Sequence, residues 1–350
     1  MNPFTFAQPT DPADAIRQVA DVAGIDGAAG ANGDAAVRFI AGGTNLIDLM
    51  KEGVMAPGRL IDINRLPLDR IEAQGDGLRL GATARNADTA YHPLVRERYP
   101  LLTAAILAGA SPQLRNMASN GGNLLQRTRC FYFYDVATPC NKRDPGSGCS
   151  AIGGITRQHA ILGASPHCIA THPSDMCVAL AALEATVHVE STRGKRAIPF
   201  AEFHRLPGDA PQHDTVLEAD ELITHIILPD ARRYAAHSAY IKLRERLSYA
   251  FALVSVAAAL DLGPDGVIRS GRVALGSVAH KPWRKPQAEA LLEGQRPDPL
   301  LFGRVADVLL DGALGQGDND FKIAMARKAI VRALQTAVQG TVTNTGEPND

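Results

Sequence analysis

Apolar and polar positions change period several times along the chain, and each change marks an element. Asp11 and Pro12 form a helix start, an acidic cap with proline in the first turn, and residues 13–22 carry apolar side chains at helical spacing. The Gly/Ala-rich stretch 24–35 reads as a loose connection. The run Val37-Arg38-Phe39-Ile40 predicts a short buried strand and 46–51 a helix. Strands are predicted at 59–64 and 77–82, with a polar turn including Gln74-Gly75-Asp76-Gly77 between them, and 86–109 is largely helical. An apolar helix begins at Asp175, whose charge complements the helix dipole. Residues 185–190 alternate as a strand, 192–195 form a turn, and 222–228 are another strand. Pro229-Asp230 marks a domain boundary. Beyond it, 239–242 and 253–262 are strand-like or buried, Gly263-Pro264-Asp265-Gly266 is a turn, and 272–278 is a strand. Helices follow at 285–292, 300–310 and 321–338, which gives a smaller α+β unit with its helices grouped at the end, then a polar, frayed tail from 340 to 350.

Two glycine turns stand out against this pattern. Ala41-Gly42-Gly43-Thr44-Asn45 joins a strand to a helix and arranges backbone N–H groups around a small concavity, a geometry that suits phosphate. An ordinary tight turn would read the same way, and the sequence is neither a dinucleotide fingerprint nor a P-loop. The second turn lies in Ser111-Pro112-Gln113-Leu114-Arg115-Asn116-Met117-Ala118-Ser119-Asn120-Gly121-Gly122-Asn123. Two such turns in one domain point to a long ligand with a pyrophosphate and sugar hydroxyls.

Between the second turn and Pro173-Ser174-Asp175 runs a stretch with no apolar periodicity and four of the five cysteines, Cys130, Cys140, Cys149 and Cys168, spaced C-x9-C-x8-C-x18-C. A segment rich in Gly, Pro and Asn has no core of its own and needs a covalent or metal constraint. Four thiolates can hold one [4Fe–4S] cluster, one zinc, or pair as two disulfides, and four unliganded thiols are the remaining alternative. Structural zinc usually shows tight C-x2–4-C pairs, absent here, and disulfides need an oxidising compartment. Lys142-Arg143 would offset part of a cluster's charge, although a solvated pair is the commoner meaning. The fifth thiol, Cys177, reads as a small core residue on a helix.

Length and charge narrow the class. At 350 residues the chain holds two or three domains, and a net charge of −1 gives no electrostatic case for nucleic acid or an anionic membrane. There is no basic n-region or apolar h-region at the start and no bilayer-length apolar run, so the expected compartment is cytoplasmic, or periplasmic if a partner carries the export signal. His159, His167, His172, His204, His213 and His225 form no metalloprotease or triad pattern, and no catalytic acid or base is expected.

The ordered motifs resemble the FAD-binding medium subunits of the molybdenum hydroxylase, or xanthine dehydrogenase, family. Phe39, Ile40, Ala41, Gly42, Gly43, Thr44, Asn45 and Leu46 resemble its first flavin loop, and 115–123 its second. Pro173-Ser174-Asp175 resembles its acidic FAD contact, and Lys242-Leu243-Arg244-Glu245-Arg246 with Phe251-Ala252 the segment near the flavin ring. Val273-Ala274-Leu275-Gly276-Ser277-Val278-Ala279 with Lys281-Pro282-Trp283-Arg284 resembles its C-terminal signature. The resemblance implies an α+β fold: an FAD-binding domain of two subdomains at about 1–60 and 61–230, carrying an insertion at 127–172, and a C-terminal domain at 235–340 of the carbon monoxide dehydrogenase flavoprotein type. It implies FAD contacts at residues 39–46, Ala118, Ser119, Gly121, Gly122, Asn123, Asp175, Leu217 and Lys242. The cysteine insertion departs from most of the family and is similar to the enterobacterial type of periplasmic aldehyde oxidoreductase FAD subunit, which carries a [4Fe–4S] cluster. That likeness implies Cys130, Cys140, Cys149 and Cys168 as ligands. It also implies a molybdenum-cofactor large subunit, a [2Fe–2S] small subunit and an external electron acceptor as partners. A zinc or Fe–S scaffold without redox role and a self-sufficient flavin oxidase are the competing readings.

Overall fold

The computed structural model describes residues 1–26 and 37–341 and builds three sheets in sequence order. The first is parallel. Strand β1 (Thr5–Ala7) leads to helix α1 (Pro12–Asp26), then come β2 (Val37–Ile40), α2 (Leu46–Lys51) and β3 (Arg59–Asp62), with strand order β1-β3-β2. Ala15, Ile16 and Val19 of α1 pack on Val37 and Ile61, which is why the helical spacing of that segment was legible. The stretch read as a loose connection, 24–35, is helix as far as Asp26 and otherwise lies outside the described residues, as does the tail beyond Thr341.

The second sheet is antiparallel, in the order β4 (Ile71–Gln74), β5 (Gly77–Gly81), β8, β6, β7. Between β5 and the later strands the chain forms α3 (Asn86–Tyr91), α4 (Pro93–Arg98), α5 (Pro100–Ala108), α6 (Pro112–Arg115), α7 (Asn120–Leu124), α8 (Phe131–Tyr134) and α9 (Asp175–Ala182). Strands β6 (Thr186–Ser191) and β7 (Gly194–Pro199), α10 (Phe200–Phe203) and β8 (Leu222–Leu228) complete the layer. Three strands escape the sequence pattern: β1, β4 and β7. Each is an edge strand with few buried side chains, so pairing with a neighbour defines it and apolar alternation does not.

The third sheet holds β9 (Ser238–Leu243), β10 (Val254–Leu262) and β11 (Ile268–Gly276), in the order β11-β10-β9. Helices α11 (Pro286–Ala290), α12 (Pro299–Leu309) and α13 (Phe321–Gln339) close the chain. Strand β10 is apolar on both faces. Val256, Ala258 and Leu260 pack under α12 and α13, while Ala257 and Ala259 join the core of α5 and α9. Side chains alternate with period two, so a near-continuous apolar run means a sheet covered on both sides. The small alanines let α9 approach closely, so the C-terminal unit shares its core with the flavin-loop side of the molecule. Among the described residues no helix is long and apolar enough to cross a membrane.

The cysteine segment 127–172 is not left to its thiols for order. Ile161 and Leu162 are buried in the C-terminal core, and their N–H groups donate to Val278 O at 2.9 and 3.0 Å. His172 N–H donates to Ala279 O, and Leu314 N–H to Ile161 O. Phe302 sits at the centre of that same core, 1% exposed. Phe302→Ala should therefore cost about 3–5 kcal/mol, read as a lower denaturant midpoint for the C-terminal unit.

Candidate functional site

The two glycine segments meet, although the second is not the turn expected from its sequence: Gly121 and Gly122 lie in the short helix α7, whose first turn Ser119 caps by accepting Gly122 N–H. Gly43 has φ +71°, so the turn from β2 into α2 depends on a residue without a Cβ. Gly42 faces the second segment: a Cβ built there would lie 1.9 Å from Met117 O. A hydrogen-bonded staple closes the pair of loops. Asn64 Nδ2 donates to Ala41 O at 2.9 Å, Arg85 Nη2 donates to Asn64 Oδ1 at 2.9 Å, and Arg85 Nη1 donates to Met117 O at 2.6 Å. Behind the second loop, Asn123 Nδ2 donates to Asn86 Oδ1 at 2.6 Å and Ser174 Oγ donates to Asn123 Oδ1 at 2.5 Å. Asn123 thereby joins Gly-Gly-Asn to Pro-Ser-Asp.

Around these loops lies a cavity of about 1180 Å³. Its walls include Phe39, Ile40, Ala41, Gly42, Gly43, Thr44, Asn45 and Leu46 from the first loop and Ala118, Ser119, Gly122 and Asn123 from the second. Asp175, Leu217 and Lys242 line it as well. Gly121 does not; it packs against Ala82, where an added Cβ would come within 3.2 Å. Asp175 does more than complement a helix dipole. Its Oδ2 accepts Lys242 Nζ at 2.8 Å and its Oδ1 accepts the Tyr240 hydroxyl at 2.7 Å, with both charged side chains buried. This pair ties the start of α9 to β9 and gives Lys242 a carboxylate partner in the cavity wall.

The opposite wall is built around Asp214. Its carboxylate accepts Lys142 Nζ at 2.6 Å and Arg127 Nε at 2.9 Å, and His280 Nε2 lies 3.5 Å away. Burial alone would raise this carboxyl, but Lys142, Arg127 and His280 together hold it well below the usual carboxylate range. Lys142 is 1% exposed and also donates to Pro211 O, so it is not the solvated charge expected from the sequence. Arg127 N–H donates to Asn45 Oδ1 at 3.0 Å, which links this wall to the first loop. Asn45 Nδ2 is buried beside the cavity and is directed to the Tyr134 hydroxyl, another lining residue. Asn64, Arg85, Asn86 and Asp214 gave no local signal; their roles come from partners distant in the chain.

No two of the five cysteines are joined in a disulfide. Cys140 and Cys149 face each other across a short antiparallel bridge, held by Asn141 Oδ1, which accepts from Gly146 and Gly148 N–H. Asn141 Nδ2 reaches His167 O beside Cys168, and Cys130 packs against Cys140 around Phe133. Burial pushes the Cys130 and Cys168 thiols up to about 12 and about 11, with neighbouring thiols adding to the rise and Lys142 opposing it at Cys168. None of the four lines the cavity, although Arg129 and Phe131 beside Cys130 do. Cys177 is fully buried in α9, as expected. Among the described residues, the one group of three donors within 4.8 Å of one another is His172, Cys177 and His204. Ser174 N–H donates to His172 Nδ1, which leaves the His172 proton on Nε2 and no free lone pair there for an ion.

Two glycine loops thus close over one large cavity, next to a sheet-and-helix domain that shares their core. The chain belongs to the flavin-binding oxidoreductase subunits of the molybdopterin dehydrogenases: residues 2–231 match the FAD binding domain in molybdopterin dehydrogenase, and residues 238–337 the CO dehydrogenase flavoprotein C-terminal domain. It is 48% identical over 340 residues, 96% of this chain and 99% of the relative, to the aldehyde oxidoreductase FAD-binding subunit PaoB of Escherichia coli (strain K12). It is 27% identical over 264 residues, 75% of this chain and 73% of the relative, to the nicotinate dehydrogenase FAD-subunit of Eubacterium barkeri. Among solved structures it superposes with a TM-score of 0.73 on a chain of carbon monoxide dehydrogenase from Hydrogenophaga pseudoflava, at 26% identity over 96% of this chain and 97% of that one.

Gly42→Ala should push the two loops apart, and Arg85→Ala should release the staple. Each is expected to lower flavin retained after desalting by at least about tenfold, the equivalent of about 1.4 kcal/mol, measured as bound FAD per chain. A second prediction concerns pH. Burial pushes His204 down to about 4 and holds His172 well below its ordinary value, whereas an unfolded histidine titrates near 6.5. The unfolded chain therefore takes up protons first, and stability falls as pH drops below about 6.5, with the His204 share levelling off near 4. Each such imidazole contributes a slope of up to about 1.4 kcal/mol per pH unit. His204→Gln should flatten the dependence of the urea midpoint between pH 7 and 5.

Proposed function

We propose that the cavity holds FAD and that this chain is the electron-transferring FAD subunit of a molybdenum aldehyde oxidoreductase. In this reading a molybdenum-cofactor large subunit oxidises the aldehyde, a [2Fe–2S] small subunit relays the electrons, and this chain delivers them to an external acceptor. The observation that carries the reading is the closure of two glycine loops over one large cavity, with Gly42 against Met117 O. The aldehyde assignment is supported by the extent of identity to the aldehyde oxidoreductase subunit. FAD, when bound, supplies the electron chemistry. The chain's own residues bind and orient it: the first loop brings backbone close to the cofactor, and Asp175 and Lys242 present a buried ion pair in the wall. Gly121 supports the second loop from behind.

The same reading gives Cys130, Cys140, Cys149 and Cys168 to a [4Fe–4S] cluster. Around one zinc, with Zn–S near 2.3 Å, thiolate sulfurs stand about 4 Å apart. No three of these four thiols gather within 4.8 Å, so they are not set at the spacing of one zinc. Lys142, buried beside them, supplies positive charge toward such a cluster.

The test separates the parts. Purified with its accompanying subunits, the chain should carry FAD and oxidise aldehydes with an artificial acceptor. Purified alone, it should be reducible chemically yet inert toward aldehydes; aldehyde turnover by the isolated chain at the rate of the assembly would overturn the subunit reading. Cys140→Ser should remove about four irons per chain and lower assembly yield before it lowers turnover per assembled complex. Unchanged iron would remove Cys140 from the ligand set.

A further inference from the structure

His159 touches a cysteine sulfur. Its Nε2 lies 3.1 Å from Cys130 Sγ, and the residue is 3% exposed. The other ring nitrogen, Nδ1, is buried on the side of Thr156. A neutral imidazole carries one N–H. A cysteinyl sulfur bound to iron has no proton of its own and can only accept, so a ring nitrogen 3.1 Å from it is favourable only as Nε2–H.

The ring is held from its backbone. His159 N–H donates to Thr156 O at 2.8 Å, and His159 O accepts Lys322 Nζ at 2.8 Å and Asn319 Nδ2 at 3.0 Å. Lys322 is fully buried and divides its ammonium between His159 O and Ser277 O. Thr156 Oγ1 donates to Gln316 O and accepts Asp318 N–H. The start of α13 and the turn before it thus clamp the chain on both sides of His159. The C-terminal domain thus fixes the backbone from which the His159 ring reaches Cys130.

We propose that His159 is a positioning residue for Cys130: it donates Nε2–H to the sulfur and raises the reduction potential of the iron–sulfur cluster that Cys130 ligates, with Lys322 and Asn319 fixing its backbone. This rests on the [4Fe–4S] reading above. A hydrogen bond to a ligating sulfur stabilises the more negatively charged, reduced state, and such bonds are among the protein's levers on cluster potential. Because this donor belongs to a side chain, substitution removes it while leaving the backbone contacts of residue 159 in place.

The experiment uses the complex as purified with its accompanying subunits, in wild-type form and as His159→Leu and His159→Gln. Iron and acid-labile sulfide are counted, Mössbauer spectra identify the cluster type, and redox titration followed by electron paramagnetic resonance gives the potential. His159→Leu should keep its iron and shift the [4Fe–4S] potential to a more negative value, and His159→Gln, which restores an N–H, should bring it back toward wild type. An unchanged or more positive potential in an iron-replete His159→Leu protein overturns this inference alone. Absence of a [4Fe–4S] signature in the wild type overturns the cluster reading and this inference with it. Should His159→Leu lose its iron, His159→Gln decides: iron kept, with a potential at or near wild type, supports the N–H donor, and iron lost there too overturns it.

Discussion

One carboxylate joins three parts of the chain. Asp214, half-buried at the cavity wall, takes Lys142 from the cysteine segment and Arg127 from the exit of the second loop, and His280 of the C-terminal domain lies within 3.5 Å. Lys142 has no route to solvent, so its charge is tolerable where it stands because Asp214 and Pro211 O receive it. Removing one partner of a buried pair leaves the other uncompensated, which costs far more than the pair contributes. Arg127 extends the arrangement, since its backbone N–H is fixed by Asn45 of the first loop. The flavin loops, the cysteine segment and the C-terminal domain are therefore not independent modules. A change in charge at residue 214 is felt in all three.

The C-terminal domain matters to the site because of a packing detail. Strand β10 alternates larger side chains toward α12 and α13 with alanines toward α5 and α9. That close approach carries β9 to the cavity, where Lys242 meets Asp175. The same domain presents Val278 O, Ala279 O, Asn319 and Lys322 to the cysteine segment. A loop without apolar periodicity is thus tied by hydrogen bonds to a neighbouring core, a source of order that its sequence does not announce.

Much of this protein is legible in its sequence. The helical spacing of α1, the strand β10, the turn at Gly43 and the burial of Cys177 follow from short-range rules: side-chain period, the freedom of a residue without Cβ, and the preference of a small thiol for a core. The four remaining cysteines and the ordered flavin-loop motifs likewise declare themselves locally. What the tertiary structure decided has another origin. The staple of Asn64 and Arg85, the placement of Asp214, the burial of Lys142 and the clamp on His159 pair residues across 21 to 163 positions. The edge strands β1, β4 and β7 exist because a neighbouring strand offers its free N–H and C=O groups. A polar side chain has no period that announces its partner. Its meaning is set by which distant donor or acceptor folding brings within hydrogen-bond reach in a place where water cannot substitute.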